Sequence, residues 1–392
     1  MSTRPGSVAD EPPRYSSVAA LLREQNPREP VYCIFPQTYR ESTEAFVSGF
    51  PGRVLFAVKA NNHPAVIRML IDAGVRHFDC ASLEEVALVD RVEPDCTKYF
   101  MVPTRIRDAA RFAQVRHGVR HFVIDHPTGL DMLATEVDMS RSVVFARMAV
   151  HHDAALADLS IRFGAKQEEM VPLLHAIRNK GAEPALAFNV GSSVLDPAAY
   201  QYAIERTHEV LDDLPFRLRL IDVGGGYPKS YPGFQVPELD RYYRAVADSF
   251  AKLPLTDDAE VLGEPGRALA APGMSAVVEV ILRKDRRLFI NDGMFGIFWE
   301  LRYEGHERYP VRLWRDGQLH ESTGASFQLN GPTCDGTDTL PGTVELPDDV
   351  RPGDHLEFGH IGAYSLSGRT DFNGYYSDNV VIIDGDGAQP PG

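Results

Sequence analysis

Phe56-Ala57-Val58-Lys59-Ala60-Asn61 decides how the rest of the chain reads. An apolar run rich in β formers begins at Arg53 and reads as a buried strand, with Lys59 at its downstream end. A lysine held there has lost water. Desolvation favours the neutral amine, the form that attacks a carbonyl to make a Schiff base. Taken alone, the stretch leaves two other readings open, a lysine that snorkels to solvent and one paired with a carboxylate.

Outward from this stretch, β-rich runs at 54–59, 77–80, 98–102, 121–125, 143–149, 185–190, 218–223 and 260–263 alternate with helical periodicities. The latter fall at 65–73, 83–92, 105–115, 169–180, 197–211 and 239–253. Eight strands alternating with helices is the α/β pattern of a (β/α)8 barrel, with a doubly wound open sheet as the alternative. Lys59, Asp79, Asp125, Arg147, Asn189, Gly224-Gly225-Gly226 and Glu264 fall at or just past the downstream strand ends, the face on which such barrels build their sites. Asp79 and Asp125 read equally as caps of the following helices. Three glycines in a row let backbone N–H groups turn toward an anion after the seventh strand, where barrels commonly hold a phosphate; an ordinary glycine turn is the alternative.

Beyond Arg267 the pattern changes to strands at 277–282, 287–290, 311–314, 355–358 and 380–383, separated by turns such as Pro352-Gly353-Asp354. This is a second, mostly β domain, sandwich- or barrel-like, to which 31–35 adds a strand. The division is a barrel at 38–274 and a β domain at 275–392 together with 15–37.

With 392 residues, 44% of them hydrophobic and 24% charged, the chain has material for a large core and two domains. A formal charge of -15 argues against nucleic acid or an anionic membrane as partner, while leaving room for a local phosphate pocket. Cys33, Cys80, Cys96 and Cys334 show neither metal-type spacing nor the density of a disulfide scaffold, so no metal site and a reducing compartment are expected. Residues 1–14 contain no apolar leader and no apolar run reaches about 18 residues, which points to a cytoplasmic protein.

Eight motifs follow one another in the chain. They are Phe56-Ala57-Val58-Lys59-Ala60-Asn61, Phe78-Asp79-Cys80-Ala81-Ser82, Arg162-Phe163-Gly164, Val190-Gly191-Ser192, Asp222-Val223-Gly224-Gly225-Gly226-Tyr227-Pro228, Gly263-Glu264-Pro265-Gly266-Arg267, Pro332-Thr333-Cys334-Asp335-Gly336 and Gly362-Ala363-Tyr364. Together they resemble the fold-type III pyridoxal-phosphate amino-acid decarboxylases from about Arg53 to the end, and Cys334-Asp335-Gly336 resembles the ornithine decarboxylases most. The resemblance implies a carboxy-lyase built as a barrel plus a β domain, working as a homodimer whose active sites are shared across the interface.

It also implies residue roles. Lys59 would hold pyridoxal 5'-phosphate as a Schiff base and Glu264 would face the pyridine nitrogen. Gly224, Gly225, Gly226, Arg267, Ser192 and Tyr364 would bind the phosphate, and Arg147 and Asp79 would orient the ring and the lysine. From the partner subunit, Cys334 would return a proton to the substrate carbon and Asp335 would meet a distal ammonium, with Tyr364 and Glu304 also lining the substrate site. Two positions depart from the family. Asn189 stands where the family stacks a histidine on the cofactor ring. Glu304 replaces a shorter aspartate that meets the distal amine, and nearby Arg302 suits a substrate carboxylate instead. The implied substrate is a basic amino acid such as ornithine or lysine. The alternatives are a modified or conjugated amino acid and a non-catalytic homologue that binds other proteins; a racemase or cofactor carrier on the same barrel ranks below both.

Overall fold

Eight parallel strands close into a barrel in the computed structural model, which describes residues 11–157, 160–304 and 309–392. They are Arg53–Ala57, His77–Cys80, Thr97–Phe100, His121–Ile124, Val143–Met148, Glu183–Phe188, Leu220–Asp222 and Glu260–Gly263, each paired to the next and the last to the first. The doubly wound alternative is thereby removed.

Strand pleating sorts the side chains into two sets. Leu55, Tyr99, Val123, Phe145, Ala185, Leu220 and Leu262 pack one another inside the barrel, whereas Phe56, Phe78, Ala146 and Ile221 face the surrounding helices. Register carries the inward set to the downstream rim. Asp79 pairs with Ala57 and Tyr99, Arg147 with Ala187, and Asp222 with Ala187 and Leu262, so all three charged residues continue the inward face.

The helices begin differently from the expectation for two aspartates. Ser82 caps Leu83–Val92 by accepting from the Glu85 N–H (3.1 Å), and His126 caps Pro127–Glu136 through its ring nitrogen. Neither Asp79 nor Asp125 is a cap. Asp125 instead accepts from the Gly164 N–H (3.0 Å) and holds the Arg162-Phe163-Gly164 segment against the end of the fifth strand. Gly164 has φ +113°, and a Cβ there would sit 2.5 Å from the Ala149 nitrogen.

The second layer is a ten-stranded sheet around Met274–Lys284. That strand pairs with Val31–Ile34, His355–Phe358 and Arg287–Ile290, and Val380–Ile383 lies beside Val31–Ile34. A loop of this layer reaches the barrel rim: Tyr364 N–H donates to the Ala60 carbonyl (2.7 Å), Ser367 to the Lys59 carbonyl (2.8 Å), and Asn61 to the Gly362 carbonyl (2.9 Å). Among the described residues no helix is long and apolar enough to cross a membrane.

Candidate active site

The first barrel strand ends at Ala57, and Lys59 stands in a one-turn 3-10 helix, Val58–Ala60, just past it. Its amine donates to Asp79 Oδ2 at 3.2 Å. The carboxylate, with help from Glu264, raises the affinity of Lys59 for its proton and outweighs desolvation. The expectation of a neutral amine is therefore reversed: with 46% of the side chain open to the cleft, Lys59 rests as a solvent-screened cation beside Asp79.

Charge across the rim does not balance. Lys59 and Arg147 are the cations that act on the rim carboxyls Asp79, Asp222 and Glu264 among the described residues, three carboxyls to two cations. Burial, followed by the neighbouring carboxylates, pushes Glu264 well above the usual carboxyl range, and burial raises Asp222 as well. Three buried polar atoms of this rim, Asp79 Oδ1, Asp222 Oδ2 and Arg147 Nε, find no hydrogen-bond partner among the described residues. The site has room in its charge balance for one more cationic donor. A protonated pyridine nitrogen is such a group.

Opposite Lys59 lies a cradle. A Cβ on Gly225 would stand 2.6 Å from the Glu264 carbonyl oxygen and one on Gly226 2.7 Å from that of Gly191. Gly224 and Gly226 have φ of +71° and +101°. All three glycine carbonyls are turned into the protein. Gly224 O accepts from Glu264 N–H (2.8 Å), Gly225 O from the Tyr200 hydroxyl (2.7 Å) and Gly226 O from Val194 N–H (2.9 Å). Across a trans peptide the next N–H points the opposite way. The N–H groups of Gly225, Gly226 and Tyr227 therefore face away from these acceptors, and none has an acceptor among the described residues. Such a nest suits a phosphate.

The cleft brings together Lys59, Asn189, Ser192, Gly225, Gly226, Glu264, Arg267 and Tyr364. Asn189 is tied down by a turn, its Oδ1 accepting from Gly191 N–H (2.9 Å). Arg267 lines the cleft but gives both terminal nitrogens to buried Glu300, Nη1 at 3.0 Å and Nη2 in a second bond. Cys334 and Asp335 lie elsewhere. Cys334 is exposed, with its thiol 3.3 Å from Asn373 Oδ1, and Asp335 accepts from Thr337 N–H (2.8 Å) and hydroxyl (2.6 Å). Those bonds, and secondarily the Arg302 charge, hold Asp335 below the usual carboxylate range. Arg302 lies over the Phe295 ring at 4.1 Å. The Glu304 side chain and residues 305–308 are outside the described residues.

Sequence reasoning missed Asp222, Glu300 and Tyr200. The first was legible: in Leu220-Ile221-Asp222 the acid shares parity with inward-facing Leu220 and directly precedes the glycine turn. Glu300 and Tyr200 become visible only once distant elements pack.

Comparison with known proteins agrees with this geometry. Residues 37–271 match the family model for the pyridoxal binding domain of pyridoxal-dependent decarboxylases. The chain is 30% identical to the lysine/ornithine decarboxylase of Selenomonas ruminantium over 84% of its own length and 83% of that protein's. Antizyme inhibitor 2 of Xenopus laevis is 28% identical, with 83% of this chain and 74% of that one covered. The solved arginine decarboxylase of Paramecium bursaria Chlorella virus, bound to agmatine, superposes with a TM-score of 0.83 at 25% identity, over 93% of this chain and 98% of that one. Decarboxylase neighbours, the match to a pyridoxal binding domain and a barrel-rim cleft lined by a lysine, a buried carboxyl and a glycine turn converge on one conclusion: the chain belongs to the pyridoxal-dependent amino-acid decarboxylases, carboxy-lyases that use pyridoxal phosphate.

Proposed function

We propose that this enzyme releases carbon dioxide from a basic amino acid of the ornithine or lysine type, with Lys59 as the covalent anchor of pyridoxal phosphate. The observation that carries the reading is the rim itself, where Lys59 lies 3.2 Å from Asp79 and opposite the glycine nest. Bound there, the cofactor supplies an electron sink for the pair left when carbon dioxide departs. Asp79 keeps the Lys59 amine close and charged until it gives up a proton. Glu264, acid-form while the rim is short of a cation, becomes the carboxylate partner of the ring nitrogen. Gly224, Gly225, Gly226 and Ser192 receive the phosphate, with Arg267 and Tyr364 at its side. Arg147 offsets the rim carboxyls, and Asn189 shapes the turn beside them.

Cys334 is exposed and Asp335 half-buried, and neither lines this cleft, which supports their completing the site of a second subunit in a homodimer. There Cys334 returns the proton to the substrate carbon and Asp335, with Glu304, meets a distal ammonium. Arg302 contributes positive charge near Asp335, and this favours a second reading in which the substrate's distal end carries a carboxylate or a conjugate. Carbon dioxide release across ornithine, lysine, arginine and carboxylate-bearing or conjugated analogues decides between the two.

The anchor is tested by borohydride reduction of the cofactor-loaded protein followed by peptide mass spectrometry. The reduced cofactor is expected on Lys59, and Lys59→Ala should fold yet take up no label. A label on any other lysine would overturn the assignment.

A further inference from the structure

We propose that Tyr200 is a positioning residue for the cofactor phosphate, acting through the Gly225–Gly226 peptide; the inference rests on the phosphate reading of the glycine nest. Tyr200 is carried on the helix Ala198–Asp212, is fully buried, and never enters the cleft. Its hydroxyl donates to the Gly225 carbonyl at 2.7 Å. Its ring stacks on that of Tyr227, the residue that follows the glycines, with centroids 5.2 Å apart and planes 23° from parallel. Thus one side chain grips the loop at two points.

The grip matters because glycine does not choose its own peptide orientation. With φ of +101° at Gly226 and no side chain on either residue, the 225–226 peptide could rotate and present its carbonyl to the cleft. A carbonyl oxygen facing a phosphate repels it, whereas the N–H attracts it. The carbonyls on either side are held by backbone donors, Glu264 N–H and Val194 N–H. Gly225 is the member of the trio whose orientation is set by a side chain, and so the one a point substitution can release. Donation from the phenol holds the carbonyl outward and, across the trans peptide, keeps the Gly226 N–H turned to the cleft.

Tyr200→Phe removes the hydroxyl and keeps the stacked ring. Apoprotein titrated with pyridoxal phosphate and with pyridoxal, followed by quenching of intrinsic fluorescence, separates the phosphate contribution from everything else. We expect the dissociation constant for pyridoxal phosphate to rise about tenfold, the size of one weakened charge-assisted hydrogen bond, with that for pyridoxal unchanged. Inorganic phosphate should also compete less well with pyridoxal phosphate in the variant. Thr207→Val is the comparator: it deletes another buried hydroxyl-to-carbonyl bond (3.0 Å, to Ala203) on the same helix without touching the loop, and should leave both constants as they are. Equal weakening of the two ligands by Tyr200→Phe, no weakening at all, or the same selective loss in Thr207→Val would each overturn the role of Tyr200. Should Tyr200→Phe fail to fold, Tyr200→His, which can still donate from its ring, must preserve the preference for the phosphorylated ligand. Wild-type protein that binds pyridoxal and pyridoxal phosphate equally would remove the phosphate reading itself, whereas the outcomes above remove only Tyr200.

Discussion

Glu264 and Asp222 show how single residues at this rim trade stability for chemistry. Their folded forms hold protons more tightly than an unfolded chain does, Asp222 to about 7, because burial penalises the charge. The sign follows: from about pH 4 to about pH 7 the unfolded chain has already released protons that the folded apoprotein keeps, so stability falls as pH rises. Glu264→Gln removes part of that penalty, and urea midpoints of the apoprotein at pH 5 and pH 8 should draw closer together than in the parent. Turnover should fall about 100- to 1000-fold, in line with loss of one preorganised electrostatic partner. Parent-like kinetics would place the partner of the ring nitrogen elsewhere. The sequence exposed Glu264 through its place after the eighth strand, but the protonation of Lys59 was hidden, because it depends on Asp79 from the neighbouring strand.

At the scale of elements, the upstream ends of the strands form a second polar cluster opposite the cleft. Arg53 donates to the Tyr99 hydroxyl at 2.9 Å and pairs with Glu260, while His121 stacks on Tyr99 at 4.0 Å and His77 meets the same ring edge-on at 6.0 Å. Burial first, then Arg53, pushes His77 down to about 4 and His121 to about 3. Arg219, Arg120 and His77 add to the effect on His121. Below about pH 6.5 an unfolded chain protonates these rings while the folded one does not, so each subtracts up to about 1.4 kcal/mol per pH unit until its folded value is reached. A His77→Gln, His121→Gln variant should lose less stability between pH 7 and pH 5 than the parent, measured by urea midpoints. An identical loss would put the acid sensitivity elsewhere. Elements with a strong period were legible: every barrel strand overlaps an expected window, although those starting at Arg53, Thr97 and Glu183 begin one or two residues upstream of it. Those without one were not. Lys59 sits in a 3-10 turn rather than on the strand, since Val58 and Ala60 are as apolar as the strand itself. Gly324–Asn330 hides because only Phe327 and Leu329 in it are buried apolar residues.

The whole molecule presents a lysine on the barrel rim and, on the β domain, an exposed cysteine beside a half-buried aspartate, away from the cleft of their own chain. If two copies complete each other's sites, each active centre takes Lys59 from one chain and Cys334 from the other. An inactive Lys59→Ala chain and an impaired Cys334→Ala chain can then cooperate. Random reassortment makes about half of all dimers hybrid, and each hybrid has one of its two sites whole. Activity should therefore recover to roughly a quarter of wild type after mixing. Were both residues to serve the same chain's site, the hybrids would contain the defect of one parent in every site and nothing beyond the average of the parents would return. Native mass spectrometry of the mixture shows whether exchange has taken place. Exchange with no recovery would remove the shared site and, with it, Asp335 as the group that meets the substrate's distal amine.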